Sequence, residues 1–178
     1  DEVDELIKRL EERNEELNRK AKRIIEKLKK ENDDLNRKLD EIVRKAREDI
    51  EDAERRVNDD KVIEEIKKLI EELRKRIEEE LKKAKEAHER IEEEIKEALK
   101  RARELNKKLE EELRRRVRGK DLEDKLEEVL RRSKKNIEDV EKELRDVLRA
   151  AKKNLDDLRR KLEDVLRRLR DEIRRKKK

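Results

Sequence analysis

The chain has 178 residues, of which 63% are charged, 30% are hydrophobic and none is aromatic, and it contains one glycine, no proline and no cysteine. Its 59 basic and 54 acidic residues are mixed throughout and leave a net charge of +5. This composition excludes disulfide and thiolate chemistry and suits either a disordered polyampholyte or long helices that bury an apolar seam. The placement of the apolar residues decides between the two.

The first predicted helix covers residues 1 to about 58. Its inward-type positions recur in an 18-residue repeat, as Val3, Ala21 and Leu39 show. Within each repeat the spacings are those of one helix face, which favours a helix over disorder. The predicted inward positions are 3, 6, 7, 10, 14, 17 and 18, then 21, 24, 25, 28, 32, 35 and 36, then 39, 42, 43, 46, 50 and 53.

The second predicted helix covers residues from about 61 to 118, and the third covers residues from about 121 to 178. Both keep the 18-residue repeat and the same apolar spacing, so both are predicted to bury one face. Examples of the repeat are Ile63, Leu81 and Leu99 in the second helix and Leu122, Val140 and Leu158 in the third.

Two short segments are predicted to separate these helices. In the first, Asn58 or Asp59 can end a helix and Asp60 can cap the next one. In the second, Gly119 is predicted to terminate a helix and Asp121 to be the N-cap of the following helix. Since short turns make consecutive helices antiparallel neighbours, the prediction is an all-α, antiparallel, up-down-up three-helix bundle, a single domain over residues 1–178. Helices of about 57 residues would make it elongated, roughly 85 Å long.

The period of the repeat predicts the geometry of the helices. Eighteen residues in five turns match the relaxed α-helix, so the helices are expected to run nearly straight, without a supercoil. In this period, and over its whole length, the chain resembles the parametrically designed, untwisted helical bundles of computational design. That resemblance implies a very stable structural scaffold with no natural biochemical activity. The alternative is a natural spectrin-like elongated spacer or helical protein-interaction module, from which the strict period and the absence of aromatics depart.

One position of the repeat is predicted to form three layers across the bundle. The residue numbers of two facing positions should add up to about 120 for the first and second helices and to about 239 for the second and third. A strict repeat also allows a helix to slide by one repeat and still pack, so we predict that polar layers penalise the wrong register. The alternative is that these residues are solvated. The layers are Asn14, Asn106 and Ser133 (the first layer), Asn32, His88 and Ala151 (the second layer), and Ile50, Ile70 and Leu169 (the third layer).

A second set of polar residues is predicted to pair between the parallel first and third helices. Glu54 matches Glu172 in this set, and two like charges would not be desolvated together, so at that end the position is expected to face water. The boundary pairs are Asn18 with Asn136 and Asn36 with Asn154.

No pattern indicates catalysis or metal binding. His88 is the only histidine, and no further ligands are predicted to converge on it. Ser133 falls in a different layer from His88, which argues against a nucleophilic triad. Acidic runs are interpreted as solvent-facing residues that pair with Lys or Arg one turn away, as Glu79 does with Lys83. We therefore predict no enzyme, no catalytic or cofactor-binding residue, no metal site and no cofactor.

The charge pattern also bears on partners. The basic run from Arg174 to Lys178 is interpreted as a solvated helix end, because basic residues are not segregated on one face and no aromatic residue accompanies them. No apolar stretch has the length of a membrane span or a signal-peptide core. We expect no partner, no nucleic acid and no membrane. The chain is expected to be a soluble monomer without a native compartment, cytoplasmic where a cell expresses it, with a domain-swapped dimer as the alternative.

Overall fold

The computed structural model describes residues 2–56 and 60–176, and it is an all-α three-helix bundle in which all three helices pack against one another. Helix α1 spans Glu2–Arg56, α2 spans Asp60–Arg116 and α3 spans Lys120–Lys176. The predicted fold class is therefore confirmed. The predicted turn residues Asn58 and Asp59, and the end of the basic run, Lys177 and Lys178, lie outside the described residues.

The connection between α2 and α3 differs from its prediction. The amide of Val117 still donates to the carbonyl of Leu113 at 2.9 Å, and Gly119 follows with a φ of +96°. The carbonyl of Gly119 accepts a hydrogen bond from the amide of Glu123 at 3.0 Å, so the first turn of α3 already begins there. The prediction that Asp121 is the N-cap is wrong. Asp121 lies within the first turn of α3, where a negative charge complements the positive end of the helix dipole.

The structure divides into two compact units, and the first comprises residues 1–28 and 89–149. Within it, the side chain of Arg116 reaches Glu2 and that of Arg114 reaches Glu127, which makes α2 antiparallel to both α1 and α3. Aliphatic residues from all three helices form its core, and burying each such side chain stabilises the fold by about 1.5–3 kcal/mol. A core cluster of this unit is Val3, Leu6, Ile7, Leu10, Leu109, Leu113, Val117, Leu126 and Leu130.

The second unit comprises residues 29–88 and 150–178. Its core also draws on all three helices and contains the third layer, Ile50, Ile70 and Leu169. Along α1 through both units, every predicted inward position is buried or half-buried except Asn18, which is exposed. The 18-residue repeat thus predicts the buried face of α1 at all but one position.

Candidate functional site

The first layer is a chain of hydrogen bonds that joins all three helices. Asn106 on α2 donates from Nδ2 to the hydroxyl oxygen of Ser133 on α3 at 2.5 Å. That hydroxyl donates in turn to Oδ1 of Asn14 on α1 at 3.2 Å. Ser133 is only 2% exposed, and the two asparagines are half-buried. The structure therefore brings together the three residues that the facing positions match.

The second layer is buried but lacks such a chain. His88 is 3% exposed, Ala151 is 1% exposed and Asn32 is half-buried. Neither Oδ1 of Asn32 nor Nδ1 of His88 has a hydrogen-bond partner among the described residues. Ala151 stands at the repeat position of Ser133, so α3 contributes a methyl group here instead of a hydroxyl.

The environment of His88 disfavours its charged form. Burial lowers the pKa of His88 below its ordinary value, and the ammonium group of Lys152 on α3 acts in the same direction. The carboxylate of Glu31 on α1 opposes both effects. Because desolvation has the largest influence, the imidazole is held neutral more strongly than in water.

The boundary asparagines form no hydrogen-bonded pairs through their buried atoms. Asn18 is exposed, while Asn36, Asn136 and Asn154 are half-buried. Oδ1 of Asn36 and the Nδ2 atoms of Asn136 and Asn154 have no hydrogen-bond partner in the described part of the chain. At the matching position of the last repeat, Glu172 is exposed and Glu54 is half-buried.

Sequence reasoning missed one residue of the second layer's surroundings. Glu31 is half-buried, and its Oε2 atom is buried without a hydrogen-bond partner in the described structure. Arg13 and Asp49 occupy the same repeat position, and both are exposed. The one local departure from the repeat nearby is Ala87, which stands where the neighbouring repeats have Leu69 and Leu105.

A solvent-open groove of about 230 Å³ lies beside the second layer, between α1 and α2. Glu31 and Asn32 line it from α1, and Ala84, Ala87 and His88 line it from α2. Charged side chains of both helices surround these residues, and one interhelical ion pair among them joins Lys38 Nζ to Glu80 Oε1 at 3.1 Å. In the first unit, Arg103 and Glu141 form a comparable ion pair between α2 and α3.

Among residues 2–56 and 60–176, no group of three or more His, Asp or Glu side chains is arranged to hold a metal ion. No described helix combines the length and the apolar character that crossing a membrane requires. Comparison with protein-family models, with curated proteins and with solved structures found no match to the chain.

Proposed function

We propose that the chain is a structural scaffold whose polar layers set the register of its helices and that it has no catalytic role. The observation that carries this proposal is the hydrogen-bond chain Asn106–Ser133–Asn14. A hydrogen bond persists when its donor and acceptor are displaced by only a few tenths of an ångström, whereas the rise of a helix is about 1.5 Å per residue. A bond from each helix to the next therefore favours one axial alignment.

The repeat explains why such alignment is needed. If α2 were displaced by one full repeat against α1, the aliphatic seam would still match, but Asn32 would face Ile70. A buried amide opposite an aliphatic side chain costs about 1–3 kcal/mol because its hydrogen bonds to water are lost. The polar layers thus add a penalty for a displaced register in the part of the apolar seam that would still overlap.

We further propose a designed origin, a monomeric state and the absence of binding partners for this chain. The strict 18-residue repeat through three helices, without aromatic residues, supports an origin in computational design. We propose a monomer of high thermal stability with nearly straight helices and with no protein, nucleic-acid or membrane partner. The even mixture of basic and acidic side chains along the helices supports the absence of a nucleic-acid partner.

The decisive experiment makes all three layers alike. In a variant of six substitutions, the first and second layers receive the residues of the third layer: N14I, N106I, S133L, N32I, H88I and A151L. We expect this protein to remain helical but to show additional sets of amide resonances in NMR spectra, or a mass above that of the monomer, because register is no longer specified.

The matched control exchanges aliphatic residues within the third layer, as I50L, I70L and L169I, and should keep one set of resonances. A single set in the six-residue variant, with a monomeric mass, would show that the polar layers do not set the register.

The monomeric state has a separate test. Light scattering should give the mass of one chain, 21.9 kDa. Twice that mass would contradict a monomer, and binding to anionic vesicles or to duplex DNA at physiological salt would contradict the absence of partners.

A further inference from the structure

The link between α2 and α3 is short, and little in its sequence opposes a continuous helix. The amide of Val117 is still bonded to α2, and the carbonyl of Gly119 is already bonded to α3. Arg118 and Lys120, on either side of the glycine, are good helix formers, and the chain contains no proline. Gly119 is therefore the one residue of the link with a strong preference against a helix interior. If the link opened, α2 and α3 would join into one long helix.

Opening of a hinge loop in this way is a low-cost route to domain-swapped dimers. In such a dimer, α3 of each copy would pack on α1 and α2 of the other copy, with the contacts of the monomer retained. The two long helices would lie side by side and antiparallel, related by a two-fold axis perpendicular to both. This symmetry places both cores on the same side of each long helix. The core-facing residues of α2 and α3 must then point in one direction along it.

Along a straight α2–α3 helix, however, the core-facing residues of the two parts point in nearly opposite directions. Leu113 and Ser133 mark the core closely, because they are only 0% and 2% exposed. From position 113 to position 133 a helix makes about 5.6 turns at 3.6 residues per turn. Asn106 and Ser133, which share the first layer, are 27 residues apart, or about 7.5 turns. Both separations leave an offset of about half a turn.

We propose that this half-turn offset prevents the chain from forming a domain-swapped dimer by straightening of the α2–α3 link. With α2 packed in its own core, a straight continuation would turn the buried face of α3 towards solvent. The first layer would lose Ser133, and the buried residues Leu126, Leu130 and Ile137 would meet water. Since apolar burial is the main stabilising contribution to the fold, the swapped dimer would be unstable. The proposal rests on the proposed monomeric state and names the feature that maintains it.

The competing explanation is that Gly119 alone keeps the link bent, because glycine disfavours a helix interior. The two explanations differ in what would allow a dimer. If the glycine is decisive, a helix-forming residue in its place is sufficient. If the offset is decisive, such a residue has no effect on the oligomeric state until the buried faces of α2 and α3 are also brought into phase.

The test replaces Gly119 by alanine, either alone or as a run of alanines that changes the offset. Gly119→Ala keeps the half-turn offset, and we expect light scattering to give the mass of one chain, 21.9 kDa. Six alanines in place of Gly119 add about 1.4 turns and bring both separations to within about 0.1 of a whole number of turns. For this six-alanine variant we expect twice the mass of one chain.

The matched control has eight alanines in place of Gly119, which adds about 1.9 turns and returns the offset to about half a turn in a longer link. It should be monomeric at the protein concentration at which the six-alanine variant is dimeric. In dimers that combine an isotope-labelled and an unlabelled copy of the six-alanine variant, we expect a nuclear Overhauser effect between Asn14 of one copy and Ser133 of the other. That signal identifies the exchange of α3.

Three results would overturn the proposal. Dimers of Gly119→Ala would show that the glycine alone keeps the link bent. Equal masses for the six-alanine and eight-alanine variants would show that phase has no influence, and a six-alanine dimer without the signal between copies would show association without exchange. A dimer of the unaltered chain would instead contradict the proposed monomeric state, so the two failures are distinguishable.

Discussion

The first and second layers have the same position in the repeat and yet differ in how they are held together. In the first layer, the hydroxyl of Ser133 links Asn14 with Asn106. In the second layer, Ala151 offers no such group, and buried atoms of Asn32 and His88 have no partner among the described residues. The position in the repeat thus determines which residues share a layer. Whether they form hydrogen bonds across the three helices depends on the hydroxyl that α3 contributes.

The largest effect is expected where a polar residue enters the apolar third layer. Ile70 is 3% exposed within an aliphatic cluster. Ile70→Asn would remove its apolar burial and leave an amide without partners, which should lower the free energy of unfolding by about 2–4 kcal/mol. Urea titration measures this loss.

The control for that variant is the reverse substitution at the same repeat position, Asn106→Ile, which gains apolar burial while it removes one hydrogen bond. It should cost clearly less than Ile70→Asn. Equal losses would show that the three layers are not distinct environments.

A smaller effect is expected when the hydroxyl is exchanged between the polar layers. Ser133→Ala removes both bonds of the first layer and should cost about 1–2 kcal/mol, because Asn14 and Asn106 lose their partner. Ala151→Ser gives the second layer the hydroxyl that Ser133 supplies to the first. Since Oδ1 of Asn32 has no hydrogen-bond partner among the described residues, stability should rise by about 0.5 kcal/mol. Denaturant midpoints of the two proteins measure the difference. Equal decreases of the denaturant midpoint in both variants would contradict the stated difference between the first and second layers.

Among the three layers, acidification should destabilise only the second. The loss in free energy of unfolding should be smaller than the loss caused by Ser133→Ala. The pKa of His88 in the folded chain lies below the unfolded value of about 6.5 because of burial and Lys152, with Glu31 opposing. Neutral His88 therefore contributes stability that is complete above pH 6.5 and is lost as the pH falls through 6.5 towards the folded-state value. Urea midpoints at pH 7.5 and pH 5 should differ more than those of His88→Asn, which carries the residue of the first layer. Identical pH dependences would mean that His88 is not desolvated.

The smallest effect is expected at the surface. Arg103 pairs with Glu141 in the first unit, and Lys38 pairs with Glu80 in the second. The carboxylates of Glu141 and Glu80 are only 17% and 14% exposed, and each has a second basic partner, Arg145 and Lys83 respectively. Arg103→Gln and Lys38→Gln should therefore each lower stability by less than about 1 kcal/mol. The difference should vanish in 1 M salt, where screening extends to about 3 Å. A loss above about 1 kcal/mol in either variant would place a surface pair on a level with the buried layer.

The sequence predicts the fold and the composition of the layers because both depend on spacing. Apolar side chains at a fixed step determine which face is buried, and the helix rise determines which positions face each other. Position alone does not determine side-chain rotamers. The hydroxyl of Ser133 thus bonds to both asparagines, whereas Asn36 and Asn154 make no such bond through their buried atoms.

Two further residues behave differently from what the repeat or the capping pattern indicates. Glu31 is half-buried although Arg13 and Asp49, at the same repeat position, are exposed. Asp121 was assigned to the N-cap, but the carbonyl of Gly119 already accepts a bond from α3.

Gly119 has a stereochemical consequence. Its φ of +96° is disfavoured for L-residues, and a Cβ atom at this position would have no neighbour within 4 Å. The space is therefore open, and only handedness opposes a side chain. A D-alanine introduced by chemical synthesis would take this φ without strain and would restrict the unfolded chain more than glycine does. The link between α2 and α3 is thus a position where an amino acid of opposite chirality fits an otherwise L-polypeptide better than any L-residue with a side chain.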